Sequence, residues 1–187
     1  MSNPFELKLA KERLLQGDSL IEGLGVFANI GFRKGDLLSV LQGERISVPE
    51  LKRRYDEKIL RPSDPLQVSP RVYVHLYAPF IRLNHSCDPN TAIVRETDLI
   101  ALRPIDQGEE LTFDYSLTEW TWPKFGRHRE WRMPCACGSQ ACRGIVSQFP
   151  YLPLPLKKDR FRKGILPDFI MRKVVDAGLA YTGRENS

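Results

Sequence analysis

Apolar residues along this chain come in short runs, each cut by glycine, proline or a small polar cluster. From Asp18 the order is S-L-I-E-G-L-G-V-F-A, a turn over 31–35, and D-L-L-S-V-L, which predicts short strands joined by tight turns. R-V-Y-V-H-L-Y over 71–77 alternates like a strand, T-A-I-V-R-E and D-L-I-A-L-R form a predicted hairpin, and E-L-T-F-D-Y after the turn P-I-D-Q-G-E is a further strand. Helical spacing is rarer. Leu7, Leu14 and Leu15 predict a peripheral helix over residues 1–17, ended by Gly17. Ser47, Pro49 and Glu50 mark a helix start, with Leu51, Tyr55 and Ile59 on one face and Pro62 as its end. Residues 61–70 hold three prolines and predict a loop, Y-L-P-L-P-L reads as extended, and Phe161 to Ala180 predicts a C-terminal helix. Between two apolar segments lies R-L-N-H-S-C-D-P-N, residues 82–90, too polar for a strand and read as a loop.

At 187 residues the chain suits one domain with a small appendage, and 42% hydrophobic with 27% charged residues is an ordinary globular composition. No apolar run approaches the roughly 18 residues that span a bilayer. The N-terminus M-S-N-P-F-E-L-K lacks a secretory pattern, so the expected location is intracellular: cytoplasmic if the source is bacterial, nuclear if eukaryotic. The net charge of +5 is accounted for by Lys157 to Lys173, where seven basic residues face Asp159 and Asp168. Phe161, Ile165, Phe169 and Ile170 interleave that stretch at near-helical spacing, so it reads as a solvated helix face and not as a nucleic-acid contact.

Charge leaves the chemistry open; the cysteines narrow it. Cys135, Cys137 and Cys142 fit one tight loop, and Cys87 stands alone 48 residues earlier. In a reducing compartment four cysteines point to metal before disulfide. Zn²⁺ takes four ligands in tetrahedral geometry, and structural sites are thiolate-rich. The local three plus Cys87 would complete one site, with His128 as fourth ligand, or two disulfides, as the alternatives. In the four-cysteine arrangement the metal clamps the 82–90 loop to the C-terminal third.

Several further residues carry little singly. Gly23-Leu24-Gly25 at a strand edge allows close backbone approach or a bulge. Asn84-His85 suits a turn or cap, and Tyr115 at a strand end is ordinarily core. F-R-K-G-D-L-L and I-D-Q-G-E-E-L echo each other, each with an acidic residue after a turn glycine. Taken in order, however, G-L-G-V-F-A, R-L-N-H-S-C-D-P-N, G-E-E-L-T-F-D-Y and C-A-C-G-S-Q-A-C-R-G resemble the successive motifs of SET-domain protein lysine methyltransferases, including the post-SET cysteine segment. The resemblance covers roughly residues 18–146, and the compact form and L-P-containing tail look like those of stand-alone bacterial members.

The resemblance implies a mainly β fold with short helices: several small sheets around a pseudo-knot, a zinc-binding post-SET segment and a C-terminal helix. It divides the chain into an N-terminal cap (1–17), the catalytic domain (18–116), the zinc segment (117–148) and a basic helical extension (149–187). It implies that the backbone around Gly23, Leu24 and Gly25, the Asn84 side chain and the His85 backbone hold S-adenosylmethionine, with Tyr115 as catalytic and cofactor-contacting residue. One structural Zn²⁺ would sit on Cys87, Cys135, Cys137 and Cys142. Phe113 would occupy the position limiting methyl number, where phenylalanine accompanies di- or trimethylation, and Tyr73 and Tyr77 are candidates for the substrate-lysine channel. The chain departs from the family in having no cysteine-rich segment ahead of the domain, a short insert between Glu44 and Tyr73, and Ile145-Val146-Ser147 where some relatives place an aromatic.

The expected function is transfer of methyl groups to a lysine of a protein partner, a histone or another basic protein, with no membrane contact and no direct nucleic-acid binding. A catalytically inactive module that binds a basic peptide, and a zinc-dependent nucleic-acid binder resting on the basic tail, are the rival readings.

Overall fold

Strands this short cannot stand alone, and in the computed structural model, which describes residues 12–61, 63–120 and 131–178, they pair into four small sheets. The chain runs through β1 (Leu14–Asp18), β2 (Leu24–Ala28), β3 (Leu37–Val40), β4 (Gly43–Ser47), helix α1 (Val48–Asp56), β5 (Pro65–Ser69), β6 (Val72–Leu76), β7 (Asn84–His85), β8 (Thr91–Val94), β9 (Asp98–Ala101), β10 (Glu110–Phe113), β11 (Arg132–Pro134), β12 (Ile145–Ser147), α2 (Leu154–Arg162) and α3 (Asp168–Asp176). The sheets are β1-β2-β10-β7, β3-β9-β8, β4-β6-β5 and β11-β12. The fold is thus mainly β with short helices, as expected. Val26, Leu38, Leu99 and Leu111, all fully buried, close the main core between the first two sheets and β4-β6-β5, and each such side chain contributes about 1.5–3 kcal/mol.

The echoed motifs form matched turns. Phe32 and Ile105 bridge each other, Gly35 and Gly108 both take φ 88°, and the acidic residue after each glycine accepts the amide N–H three residues back. Only glycine adopts that φ without strain, which is why both turns carry it.

Five expectations are corrected. Residues 14–18 form a strand, not the end of a helix: Leu14 is buried and Leu15 exposed, the alternation of an edge strand on β2, while Leu7 lies outside the described residues. Residues 65–69 are a strand despite the prolines; Pro65 stands first on an edge strand, where its missing N–H costs no ladder bond. Asn84-His85, inside the stretch read as too polar for a strand, forms a two-residue parallel pairing with β10, because its hydrogen-bonding partner is a buried strand. Helix α1 begins at Ser47, whose side chain caps Glu50, but ends at Asp56, ahead of Lys58 at φ 57°, and leaves Ile59 exposed. The C-terminal region holds two helices instead of one. Leu154, Pro155 and the basic run form α2, Gly164 at φ 63° and Pro167 break it, and α3 buries Phe169, Ile170 and Val174 against Leu117, Phe149 and Leu152. Helix α2 buries no side chain, in keeping with the solvated basic face.

One glycine is fixed by packing alone. A Cβ at Gly43 would meet the His75 carbonyl oxygen of the neighbouring strand and Val74 Cγ1 at 2.6 Å, and backbone in a ladder cannot retreat. Gly43→Ala is therefore expected to lower stability by about 1–3 kcal/mol in urea unfolding. Gly31→Ala, whose Cβ would find nothing nearer than Ile105 O at 3.7 Å, should stay within about 0.5 kcal/mol.

Candidate functional site

The site is built on the seam between residues 84–91 and β10. Four bonds stitch it: Ser86 N–H to Phe113 O (3.1 Å), Asn90 Nδ2–H to Glu110 O (2.7 Å), Thr112 N–H to Asn90 Oδ1 (2.9 Å) and Thr91 Oγ1–H to Thr112 O (2.8 Å). The seam sets Asn84 and His85 beside the end of β10. There Asp114 accepts the Ser116 N–H and turns the chain into a single 3₁₀ turn that begins with Tyr115.

Two cavities meet at Tyr115. The first is bounded by Glu22, Gly23 and Leu24 on one wall, Asn84 and His85 on another, and Met133 to Cys137 on a third, with Arg61 also on its lining. Arg61 and Glu22 form a loose ion pair there at 3.6 Å. The second is a narrow channel lined by Phe80, Leu83, Phe113, Trp131 and Glu119, with Tyr115, Ile81 and Ser63 common to both. The Tyr115 hydroxyl donates to Leu83 O at 2.6 Å, and burial raises its pKa, so it is a neutral phenol held in one place. The Phe113 ring packs 4.7 Å from that of Tyr115.

Behind the cavity a polar knot ties the 19–24 turn to the seam. The two N–H groups of Asn84 Nδ2 lie among four acceptors, Glu110 Oε1 (2.8 Å), Ser19 Oγ (3.0 Å) and the carbonyls of Glu22 and Leu24, while Ser19 Oγ–H donates to Glu110. Gly25 sits against Glu110 so closely that a Cβ there would collide with its carboxylate. Its lack of a side chain therefore serves this packing, while Gly23, at φ 52°, lines the cavity itself.

His85 joins the two ends of the site. Its Nδ1 accepts the Tyr115 N–H at 3.2 Å, so the ring proton sits on Nε2, 3.3 Å from Cys87 Sγ. Burial lowers its pKa to about 4, partly offset by Asp114, and the ring is neutral. Cys87, Cys135, Cys137 and Cys142 present their sulfurs within 4.8 Å of one another, with 3.7 Å between Cys87 and Cys135. Thiolates on one tetrahedral metal at about 2.3 Å lie roughly 3.8 Å apart, so the donor set fits such an ion. Burial raises the Cys87 and Cys135 thiols; at Cys137 hydrogen bonds outweigh burial and bring the pKa to about 6. Arg143 closes the corner. Its guanidinium makes a two-pronged pair with Asp114 (2.6 and 2.8 Å), and its N–H points at Cys87 Sγ (3.3 Å).

Gly23, Leu24, Asn84, His85 and Tyr115 thus meet around one cavity, Phe113 joins Tyr115 at the channel, and the four cysteines converge. Tyr77 is half-exposed and lines neither cavity; Tyr73 is fully buried and reaches the channel only through its hydroxyl, which donates to Glu119 at 3.0 Å. His128, the alternative fourth ligand, lies outside the described residues. Ser19, Glu110, Asp114 and Arg143 escaped the sequence reading although three of them stand inside quoted motifs, because G-E-E, F-D-Y and C-R-G signal a turn, a strand end and a metal loop before they signal partners. Glu119 carries no motif.

The model of the SET domain family matches residues 23–116. Among curated proteins the chain is 30% identical over 151 residues to the histone-lysine N-methyltransferase TRX1 of Oryza sativa subsp. japonica, covering 73% of this chain and 14% of that protein. It is 31% identical over 159 residues to the H3 lysine-4 specific histone-lysine N-methyltransferase of Saccharomyces cerevisiae (76% and 14%), and 28% identical over 165 residues to the histone-lysine N-methyltransferase mes-4 of Caenorhabditis elegans (75% and 17%). The chain spans less than a fifth of the length of these relatives.

Asp114 is fully buried, so removing its guanidinium partner would strand a charge. Arg143→Ala is expected to cost about 3 kcal/mol or more in chemical denaturation, whereas the paired replacement Asp114→Asn with Arg143→Met should recover part of that loss.

Proposed function

We propose that this chain, which belongs to the SET domain family, transfers methyl groups from S-adenosylmethionine to the ε-amine of a lysine in a protein substrate. The observation that carries the reading is the meeting of two cavities at one buried tyrosine: one broad and polar-walled, one narrow and mostly apolar. The match of the family model over half the chain and the names of the curated relatives support it.

The first cavity suits the cofactor by its donor set. Backbone at Gly23 and Leu24 and the groups of Asn84 and His85 would hold it, with Gly25 fixing the wall behind, and Arg61 and Glu22 offer both charges that a zwitterionic amino-acid end needs. Bound there, S-adenosylmethionine supplies a methyl group on a positively charged sulfur. The four thiolates would hold Zn²⁺, which keeps Pro134 to Cys137 against the cavity.

A free lysine amine has a pKa of about 10.4 and must lose a proton before it attacks. The apolar lining of the channel favours the neutral amine, because desolvation penalises the ammonium form. What remains is alignment. Tyr115, pinned to Leu83 O by its hydroxyl and to His85 by its amide, fixes the end of the channel where amine and methyl meet. Phe113 leaves that end without a hydroxyl, which fits addition of more than one methyl group. A basic segment such as a histone or histone-like tail is the proposed substrate, in an intracellular setting, and no helix among the described residues is long and apolar enough to cross a membrane.

Incubation with radiolabelled S-adenosylmethionine, core histones and a fractionated lysate, followed by identification of the labelled residue, tests the reading; label on lysine is expected, and no transfer would overturn it. Tyr115→Phe should lose turnover by about 100-fold or more, with cofactor affinity in calorimetry changed only slightly. Cys87→Ser should lower zinc content and cofactor affinity together.

A further inference from the structure

Glu119 is a carboxyl in an unexpected place. It follows the turn that carries Tyr115, is 6% exposed, and lines the same channel as Tyr115 and Phe113. Among the described residues no basic side chain pairs with it, and the donor to its carboxyl is the fully buried hydroxyl of Tyr73, 3.0 Å from Oε1. The other carboxyl on the channel, Asp64, is instead matched to Arg61 by two bonds (2.8 and 2.9 Å). Placing an acid in an apolar wall with one neutral donor is unfavourable unless another polar group completes its bonding. The Glu119 backbone is also fixed, since its carbonyl accepts the Phe149 N–H at 2.7 Å.

We propose that Glu119, steadied by Tyr73, accepts an N–H from the target amine inside the channel and so ranks acceptors by the hydrogens their nitrogen still carries. This rests on the methyl-transfer reading above. An unmodified amine, with its lone pair aimed at the incoming methyl, has two N–H groups; a monomethylated one has one; a dimethylated one has none. Glu119 therefore assists the first two transfers and gives the third nothing, while Phe113 leaves room for methyl groups already added. The two residues together set the product at dimethyl-lysine. Burial raises the Glu119 pKa well above the usual carboxylate range, and a neutral carboxyl accepts an N–H without drawing the amine back into its ammonium form.

The test uses the lysine labelled in the preceding experiment, synthesised in its peptide with zero, one and two methyl groups, and kcat/KM for each. The wild-type protein is expected to fall at least about tenfold between the one-methyl and two-methyl acceptors, the scale of one hydrogen bond to a buried polar group. Glu119→Leu should lose about tenfold on the zero- and one-methyl acceptors with little change on the two-methyl acceptor, flattening the ranking. Glu119→Gln, which keeps an acceptor oxygen, should retain it. Melting temperature, zinc content and cofactor affinity of each variant separate a folding defect from a change in ranking. An equal loss on all three acceptors in Glu119→Leu, or a wild-type protein indifferent to acceptor state, overturns the role of Glu119 and leaves methyl transfer standing. Absence of any labelled lysine overturns both.

Discussion

Everything chemical in this molecule hangs on the seam between residues 84–91 and strand β10. Asn84 and Asn90 are its two ends, and neither acts as a simple strand residue. Asn84 bonds the turn at 19–24, and Asn90 uses both its oxygen and its nitrogen on the backbone of β10. A buried strand edge normally commits its backbone groups to another long strand. Here the Asn90 side chain supplies two of those bonds and the Thr91 hydroxyl a third, so only two residues need strand geometry, and the chain is free to turn at once toward Cys87.

A similar double use recurs at His85. One neutral ring accepts from the amide of Tyr115 and directs its remaining proton at Cys87, so the position of the tyrosine and the charge on the thiol are read by one side chain. Asp114 and Arg143 run parallel to it, linking the residue before Tyr115 to the residue after Cys142. The thiol corner and the reacting end of the channel are thus joined twice, once through the His85 ring and once through the Asp114–Arg143 ion pair.

Much of this was legible in the sequence, and the rest was not, for identifiable reasons. Turn residues bounding apolar runs located β6, β8 and β9; only β9 alternates half-buried with buried residues, whereas Tyr73-Val74 and Thr91 to Ile93 are buried consecutively. The pattern failed for β5, where Pro65 to Val68 are all buried and the prolines outweighed the apolar run, and for β1, where Leu14-Leu15 imitates a helical pair. The single helix predicted over 161–180 is split: Phe161 and Arg162 end α2 and residues 168–176 form α3, because the conformational cost at Gly164 and the missing N–H of Pro167 interrupt the pattern. The cysteine cluster was readable because Cys87 is the one cysteine left to join the local three, although His128 as fourth ligand and two disulfides stood as alternatives. Glu119 was not, since one acid in a stretch rich in aromatics looks like surface until Tyr73, 46 residues earlier, is seen to lie beneath it.

The thiol corner has a consequence for how the molecule comes together. Cys87 and Cys135 are separated by 48 residues, and the wall of the broad cavity from Met133 to Cys137 starts in the separate two-stranded sheet β11-β12 and runs on into the cysteine loop. Closing so long a loop costs entropy, which binding of one ion by all four thiols would help to offset. The two-stranded sheet is tied to the body through Trp131 and Val146, which pack with Ile46, Leu51 and Tyr73, so the cysteine loop beyond it is the part of the wall that a metal would hold in place. Metal supply would then govern how often the binding cavity is complete, while the fold beneath it persists.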